Sequence, residues 1–281
     1  MNNNNNNRKK DWYQKIASYY DRVSVNYDVD EKSYPIQQII DVLNEKKIKD
    51  SFKCFLHGSF ILDNGAGTGK WTIPLLKEGF SVVACDISLK MLKVAKAKVH
   101  SKYSKAMFVN CDITNLPFKK GKFNAIVMAG RVLSITHEPE KALEECYRVL
   151  KNGGKLWTSV CNLWSSVLLL FLEKGFSEKI LRIVKEKRIY IDESLSMRQF
   201  MYKEVKRMVA TAGFNIEKIT GDIAFSHFLP DELLKNLKKR EPLKFIERFE
   251  NFLTKYIIFS PFWGEYIIES RKIEKGRQRK K

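Results

Sequence analysis

Phe60-Ile61-Leu62-Asp63-Asn64-Gly65-Ala66-Gly67-Thr68-Gly69 decides the fold. An apolar run that ends in a carboxylate and passes into three alternating glycines describes a strand turning sharply against a ligand, because glycine accepts positive φ and has no Cβ to keep backbone and ligand apart. Lys70 to Lys77 then reads as a helix that Gly79 ends. The turn is therefore expected at a helix N-terminus, with free N–H groups and the positive end of the dipole. Such a turn suits a nucleotide-like or carboxylate-bearing cofactor. The spacing is G-x-G-x-G, with Asp63 at the strand end, and not the G-x-G-x-x-G of the dinucleotide fingerprint.

Two further strands repeat the pattern. Ser81 to Cys85 leads to Asp86, close to the offset of about twenty residues at which a carboxylate meets ribose hydroxyls. Ser88 is placed to cap the following helix, whose apolar stripe is Met91, Leu92, Ala95 and Val99. Met107 to Cys111 leads to Asp112 and the loop Ile113-Thr114-Asn115-Leu116-Pro117-Phe118, before a fourth strand over Phe123 to Met128. Glu138 to Leu150 reads as a helix with Pro139 in its first turn, closed by Gly153, and Lys155 to Val160 as a fifth strand.

These words resemble the class I S-adenosylmethionine-dependent methyltransferases. The glycine turn looks like their first motif and Asp86-Ile87-Ser88-Leu89-Lys90-Met91-Leu92 like their acidic second motif. Lys141 to Gly154 (KALEECYRVLKNGG) resembles the segment before strand five in the ubiquinone/menaquinone-type and related small-molecule enzymes. Asn152, where that family usually has Pro, and Asn124, where it has Asp, are departures that touch only the subfamily assignment. Asn64 beside Asp63 is read as turn chemistry. The resemblance implies an α/β, Rossmann-like, doubly wound sheet of seven strands in the order three-two-one-four-five-seven-six, mostly parallel with an antiparallel last strand. It implies S-adenosylmethionine as cofactor. Asp63 with Gly65, Ala66, Gly67 and Gly69 would hold the methionine part, Asp86 the ribose, and Asp112 with Ile113 the adenine, with Ile87 and Met91 also among the cofactor-binding residues. Ala129-Gly130 would form the floor.

Beyond strand five, residues 162–196 read as a helical lid or insertion that opens on the apolar run Leu163 to Leu172. That run is too short to span a bilayer and could be a lid over an apolar substrate, a membrane-interface helix or ordinary packing. The basic stretch Lys179 to Arg188 leaves peripheral membrane contact open. Together with the Tyr19-to-Tyr27 helix, which looks like the family's substrate-side lid or else packs on the sheet edge, the run is expected to wall an apolar acceptor pocket. Met201 to Ala212 resumes as a helix and Phe214 to Ile219 as a sixth strand. Two amphipathic helices, Pro230 to Lys239 and Pro242 to Lys255, then lead to a last strand over Tyr266 to Ile273.

Composition sets the remaining bounds. The chain has 281 residues, 44% of them hydrophobic, enough for one large domain over 11–281. Residues 1–10, an Asn run with Arg8-Lys9-Lys10, are expected to be disordered and carry no secretory h-region. Five scattered cysteines without a C-x-x-C pair fit neither a disulfide framework nor a zinc site, which points to a reduced, cytoplasmic protein and to no metal. The net charge of +19, concentrated in part in the tail 271–281, would attract RNA, an anionic membrane or an acidic substrate, or else reflects lysine spread over a solvated surface. The reading is a methyltransferase for a small-molecule or lipid-like acceptor. An RNA-modifying enzyme and a noncatalytic cofactor-binding scaffold are the alternatives. No catalytic residue is assigned: His137 stands in a post-strand loop, where entry to the next helix accounts for it.

Overall fold

A computed structural model of the chain describes residues 2–273 apart from 101–102, 104–105, 193–194, 230–231, 233 and 235–239. Helices α1 (Asn2–Val23), α2 (Tyr27–Ser33) and α3 (Pro35–Phe52) precede β1 (Phe60–Asn64). The alternation then follows the sequence pattern through α4 (Thr72–Lys77), β2 (Ser81–Asp86), α5 (Leu89–His100), β3 (Ala106–Asn110) and β4 (Phe123–Met128). A short α6 (Val132–Ile135) and α7 (Pro139–Val149) lead to β5 (Leu150–Cys161). After β5 come α8 (Leu163–Lys174), α9 (Glu178–Glu186), the paired strands β6 (Arg188–Tyr190) and β7 (Ser196–Arg198), and then α10 (Tyr202–Thr211), β8 (Phe214–Gly221), α11 (Arg240–Leu253) and β9 (Glu265–Lys272).

Seven strands form one sheet in the order β3-β2-β1-β4-β5-β9-β8. The first five run parallel, and β9 pairs antiparallel with both β5 and β8. This is the Rossmann-like order that the family resemblance implied. Each face of the sheet is covered, as parallel strands require. Leu62, Ile126, Met128, Leu143, Cys146 and Trp263 pack on one side, and Ile61, Phe52, Val82, Val127 and Trp157 on the other. Asp63 sits opposite Ala84 of β2 and Val127 of β4, so the carboxyl ends of the central strands lie level and open at the point where strand order reverses. A ligand crevice is expected at that place in an open α/β sheet.

Three local expectations are corrected. Helix α1 begins at Asn2, so helical turns run through the stretch expected to be disordered: adding turns to the segment packed through Trp12 and Ile16 is far easier than nucleating a helix afresh. The insertion is not wholly helical, because β6 and β7 close it as a small hairpin. Asn64 is not turn chemistry. It is fully buried, its amide pointing at the sulfurs of Met128 (3.6 Å) and Cys146 (3.4 Å) while the Cys85 thiol donates to its Oδ1 at 2.9 Å. The helix expected over Pro230 to Lys239 and most of the tail 271–281 fall outside the described residues.

Candidate active site

The glycine turn owes its shape to positive φ at Gly65 (84°), Gly67 (53°) and Gly69 (85°). Its N–H groups are not left free as expected. Those of Gly65 and Ala66 donate to the Cys85 carbonyl at 2.8 and 2.9 Å, and that of Gly67 to Asp86 Oδ2 at 2.8 Å. What the turn offers is bare backbone. A Cβ at Gly67 or Gly130 would meet no atom within 4 Å and would project into open space, whereas at Gly65 it would lie 2.5 Å from Val132 Cγ2. Gly69 is a packing glycine, where a Cβ would press on Ala95 of α5 at 3.2 Å.

A crevice at the strand ends gathers Gly65, Gly67, Asp86, Ile87, Met91, Asp112, Ile113 and Gly130, eight of the residues assigned to the cofactor from sequence, together with Tyr20 and Tyr27 of the expected lid. Asp63, Ala66, Gly69 and Ala129 do not line it. Asp63 is buried beneath the turn, where Thr72 Oγ1 donates to it at 2.6 Å and burial pushes its carboxyl up to about 7. Period-two alternation explains the placement, because Ile61 and Asp63 share the face of β1 covered by α4. Asp86 also has its carboxyl raised by burial, opposed by the N–H groups of Ser88 and Gly67. Asp112 opens a turn as well as lining the crevice, since its Oδ1 accepts from the Thr114 N–H and hydroxyl at 2.8 and 2.9 Å.

Sequence reasoning did not single out Tyr13, Ile16, Val132, Ile135 and Thr136, which complete the wall. Tyr13 and Ile16 come from α1, which folds back over the strand ends and is held there by Asp21. That carboxylate accepts from Ser88 Oγ at 2.5 Å and from the Lys90 N–H at 3.1 Å, at the positive end of α5. Asp28 of α2 takes the Thr68 hydroxyl at 2.6 Å and pairs with Lys98, which ties the lid to the glycine turn. The only signal that could have found them is the apolar and aromatic period of Trp12, Ile16, Tyr19 and Tyr20. His137 does not line the crevice and packs edge-on against Trp12.

A second cavity shares Tyr20, Tyr27, Gly130 and Ile135 with the crevice. Its other walls are aromatic and charged: Tyr19, Tyr34 and Trp71, with Glu31 and Asp41 both paired to Lys70 (2.5 and 3.1 Å) and Arg131 paired to Glu265 (3.0 Å). Arg131 adopts φ 69°, next to Gly130 at 74°, and this left-handed pair turns the chain out of β4. Burial raises the phenols of Tyr20 and Tyr27, which stay neutral and can donate but not act as bases near neutrality. No residue of the Leu163-to-Leu172 run borders this cavity, so the expected apolar pocket is corrected to a mixed aromatic and polar one. On its inner side the run reaches a neighbouring cavity through Ser165, Ser166 and Leu169, while Trp164, Phe171 and Leu172 face outward.

Comparison with known proteins agrees with this geometry. The family described as "Methyltransferase domain" matches residues 61–154. A demethylmenaquinone methyltransferase of Paenarthrobacter aurescens is 30% identical over 195 residues, covering 64% of this chain and 71% of that one. A ubiquinone/menaquinone biosynthesis C-methyltransferase of Pseudomonas paraeruginosa is 29% identical over 231 residues, covering 76% and 88%. In fold, the chain is similar to a SAM-dependent methyltransferase structure from Methanosarcina mazei, with TM-score 0.56 and 20% identity over 78% of this chain and 94% of the other. These relatives, together with the fold, show that the chain belongs to the class I S-adenosylmethionine-dependent methyltransferases.

Proposed function

We propose that this enzyme transfers the methyl group of S-adenosylmethionine to a small-molecule or lipid-like acceptor by in-line displacement. One observation carries the reading: a concave cavity adjoins the cofactor crevice, shares Tyr20, Tyr27, Gly130 and Ile135 with it, and is lined by residues of α1 and α2. A concave cavity with aromatic and polar walls suits a small acceptor, and the relatives named for demethylmenaquinone and for ubiquinone/menaquinone biosynthesis support a quinone-like one. The residue roles belong to the same proposal. Asp86 accepts the ribose hydroxyls, Asp112 and Ile113 face the adenine, Ile87 and Met91 cover its faces, and Gly65, Gly67 and Gly130 give backbone room along the methionine arm. Asp63 acts from below, fixing Thr72 and with it the helix after the turn.

The cofactor supplies a methyl group that is already electrophilic, so the chain's own work is placement and exclusion of water. The Asp21–Ser88 and Asp28–Thr68 bonds hold the lid closed over the strand ends. The neutral Tyr20 and Tyr27 hydroxyls orient a polar group on the acceptor. A base is required only if the acceptor loses a proton on methylation, and the cavity carboxylates Glu31, Asp41 and Glu265 are the groups placed to take one. The net charge of +19 favours a second reading, an RNA acceptor. The cysteines, all free thiols, support a reducing, cytoplasmic setting. Methyl transfer from labelled cofactor into fractionated extract is the test. Label in lipid or small-molecule fractions is expected, and label confined to RNA would overturn the reading.

A further inference from the structure

Helix α8 is almost continuously apolar from Leu163 to Leu172, yet only Leu163 and Ser165 are buried. Trp164 is 46% exposed, Phe171 48% and Leu172 60%, and Phe176, just beyond the helix, is 71% exposed. Helix α9 buries Ile180 and Ile183 but turns Leu181 and Val184 outward. Trp164, Val167, Leu168, Phe171 and Phe176 form an open apolar groove with Phe262, from the 3-10 segment Ile257–Phe262. A helix apolar on all sides belongs in a core or against a partner, and a contiguous exposed apolar patch marks an interaction surface.

Charge indicates what covers it. The same stretch carries Lys174, Lys179, Arg182, Lys185, Lys187 and Arg188 against Glu173, Glu178 and Glu186, within a chain of net charge +19. Among the described residues, no helix is long and apolar enough to cross a membrane. A short apolar helix beside a basic one fits the headgroup region of a bilayer, and each nearby cation favours anionic lipid.

We propose that the α8–α9 groove docks this protein on an anionic phospholipid bilayer, with Phe171 and Phe176 entering the headgroup boundary. The inner side of α8 gives Ser165, Ser166 and Leu169 to a cavity that shares Arg131 and Glu265 with the acceptor chamber. One helix therefore separates the docking face from the chamber, an arrangement suited to an acceptor that resides in the membrane. That last step rests on the lipid-like acceptor proposed above; the docking does not.

The test is sedimentation of the full chain with vesicles of phosphatidylcholine alone and of phosphatidylcholine mixed with phosphatidylglycerol, at low and raised salt. Expected are binding to the anionic vesicles that weakens with salt, and a loss of about tenfold or more in Phe171→Ser/Phe176→Ser, which removes apolar surface at unchanged charge. Affinity for S-adenosylhomocysteine reports whether that variant is folded. If it is not, Leu172→Ser is read in its place with a smaller expected loss. Equal binding of variant and wild type would overturn the proposal, since charge alone would then cause adsorption. Absence of binding to both vesicles would also overturn it, and a wild-type dimer split by the same substitutions would give the face to a second copy instead. Methyl-transfer results on lipid extracts bear on the acceptor and leave the vesicle result standing.

Discussion

The two halves of this molecule solve their problems at different levels of structure. In the cofactor half, β1 to β4, the crevice is shaped mainly by backbone, through positive-φ glycines and strand ends brought level by parallel pairing, with Asp86 and Asp112 at the ends of β2 and β3 lining it. In the half proposed to take the acceptor, α1 to α3 and everything after β5, the cavity is made by side chains from elements far apart in sequence, and Glu31 and Glu265 pair there with Lys70 and Arg131 from the loops after β1 and β4. A site fixed by backbone is sensitive to atoms as small as a Cβ. A site built from side chains can be repacked and still leave the cofactor in place.

The largest effect should come from Gly65→Ala. Positive φ alone disfavours the substitution, and the new Cβ would meet Val132, a β-branched and stiff neighbour. We expect a fall in stability of about 1–3 kcal/mol and a loss of cofactor affinity. Gly130→Ala, with φ 74° and open space around the new Cβ, should cost less in thermal melting. Equal losses at the two positions would show that strain and not contact with Val132 sets the limit.

Asp86→Ala comes next. Its carboxylate is the acceptor proposed for the ribose and also binds the Gly67 N–H, so calorimetric affinity for S-adenosylhomocysteine should fall by about 1.5–3 kcal/mol. An unchanged dissociation constant would remove Asp86 from the site.

Asp63→Asn tests the acid that lies beneath the turn. Its folded carboxyl titrates at about 7, above its ordinary value of 3.8, so the folded state binds the proton more tightly than the unfolded state does. Wild-type stability must therefore decline through this group as pH rises from about 4 to 7, and level off above. The neutral variant lacks that decline. The difference in melting temperature between the Asp63→Asn variant and the wild type should move in favour of the variant across that window and stay flat above it; a pH-independent difference would contradict the burial argument.

The smallest effect is expected in the other half. Phe171→Ser should leave S-adenosylhomocysteine binding unchanged, because α8 borders neither the crevice nor the adjoining chamber with that side chain. A measurable loss would mean that the two halves are coupled.

The same contrast explains how far the sequence could be read. The alternation of strands and helices, the glycine turn and the carboxylates at 86 and 112 are local words, and they stand where the words put them, whereas the order of strands in the sheet followed from the family resemblance. Asp63 was legible as a strand-end acid but not as a buried one, since only the covering of that face by α4 decides its direction. The engagement of the turn's N–H groups was hidden because their acceptor, the Cys85 carbonyl, belongs to another strand. Tyr13 and Ile16 reach the site through the return of α1 across the sheet, held by Asp21, a contact spanning sixty-seven residues. The outward face of α8 was not legible as such, because an apolar run says that something covers it and not what does.

The central claim is that the crevice bounded by Gly65, Gly67, Asp86 and Asp112 holds the cofactor beneath the α1–α2 lid. A structure of the complex with S-adenosylhomocysteine tests it most directly. The account predicts ribose hydroxyls on the Asp86 carboxylate, adenine beside Asp112 and Ile113, and the sulfur facing the chamber behind Tyr20 and Tyr27. An adenosyl group bound away from Asp86, or a sulfur directed away from that chamber, would contradict it.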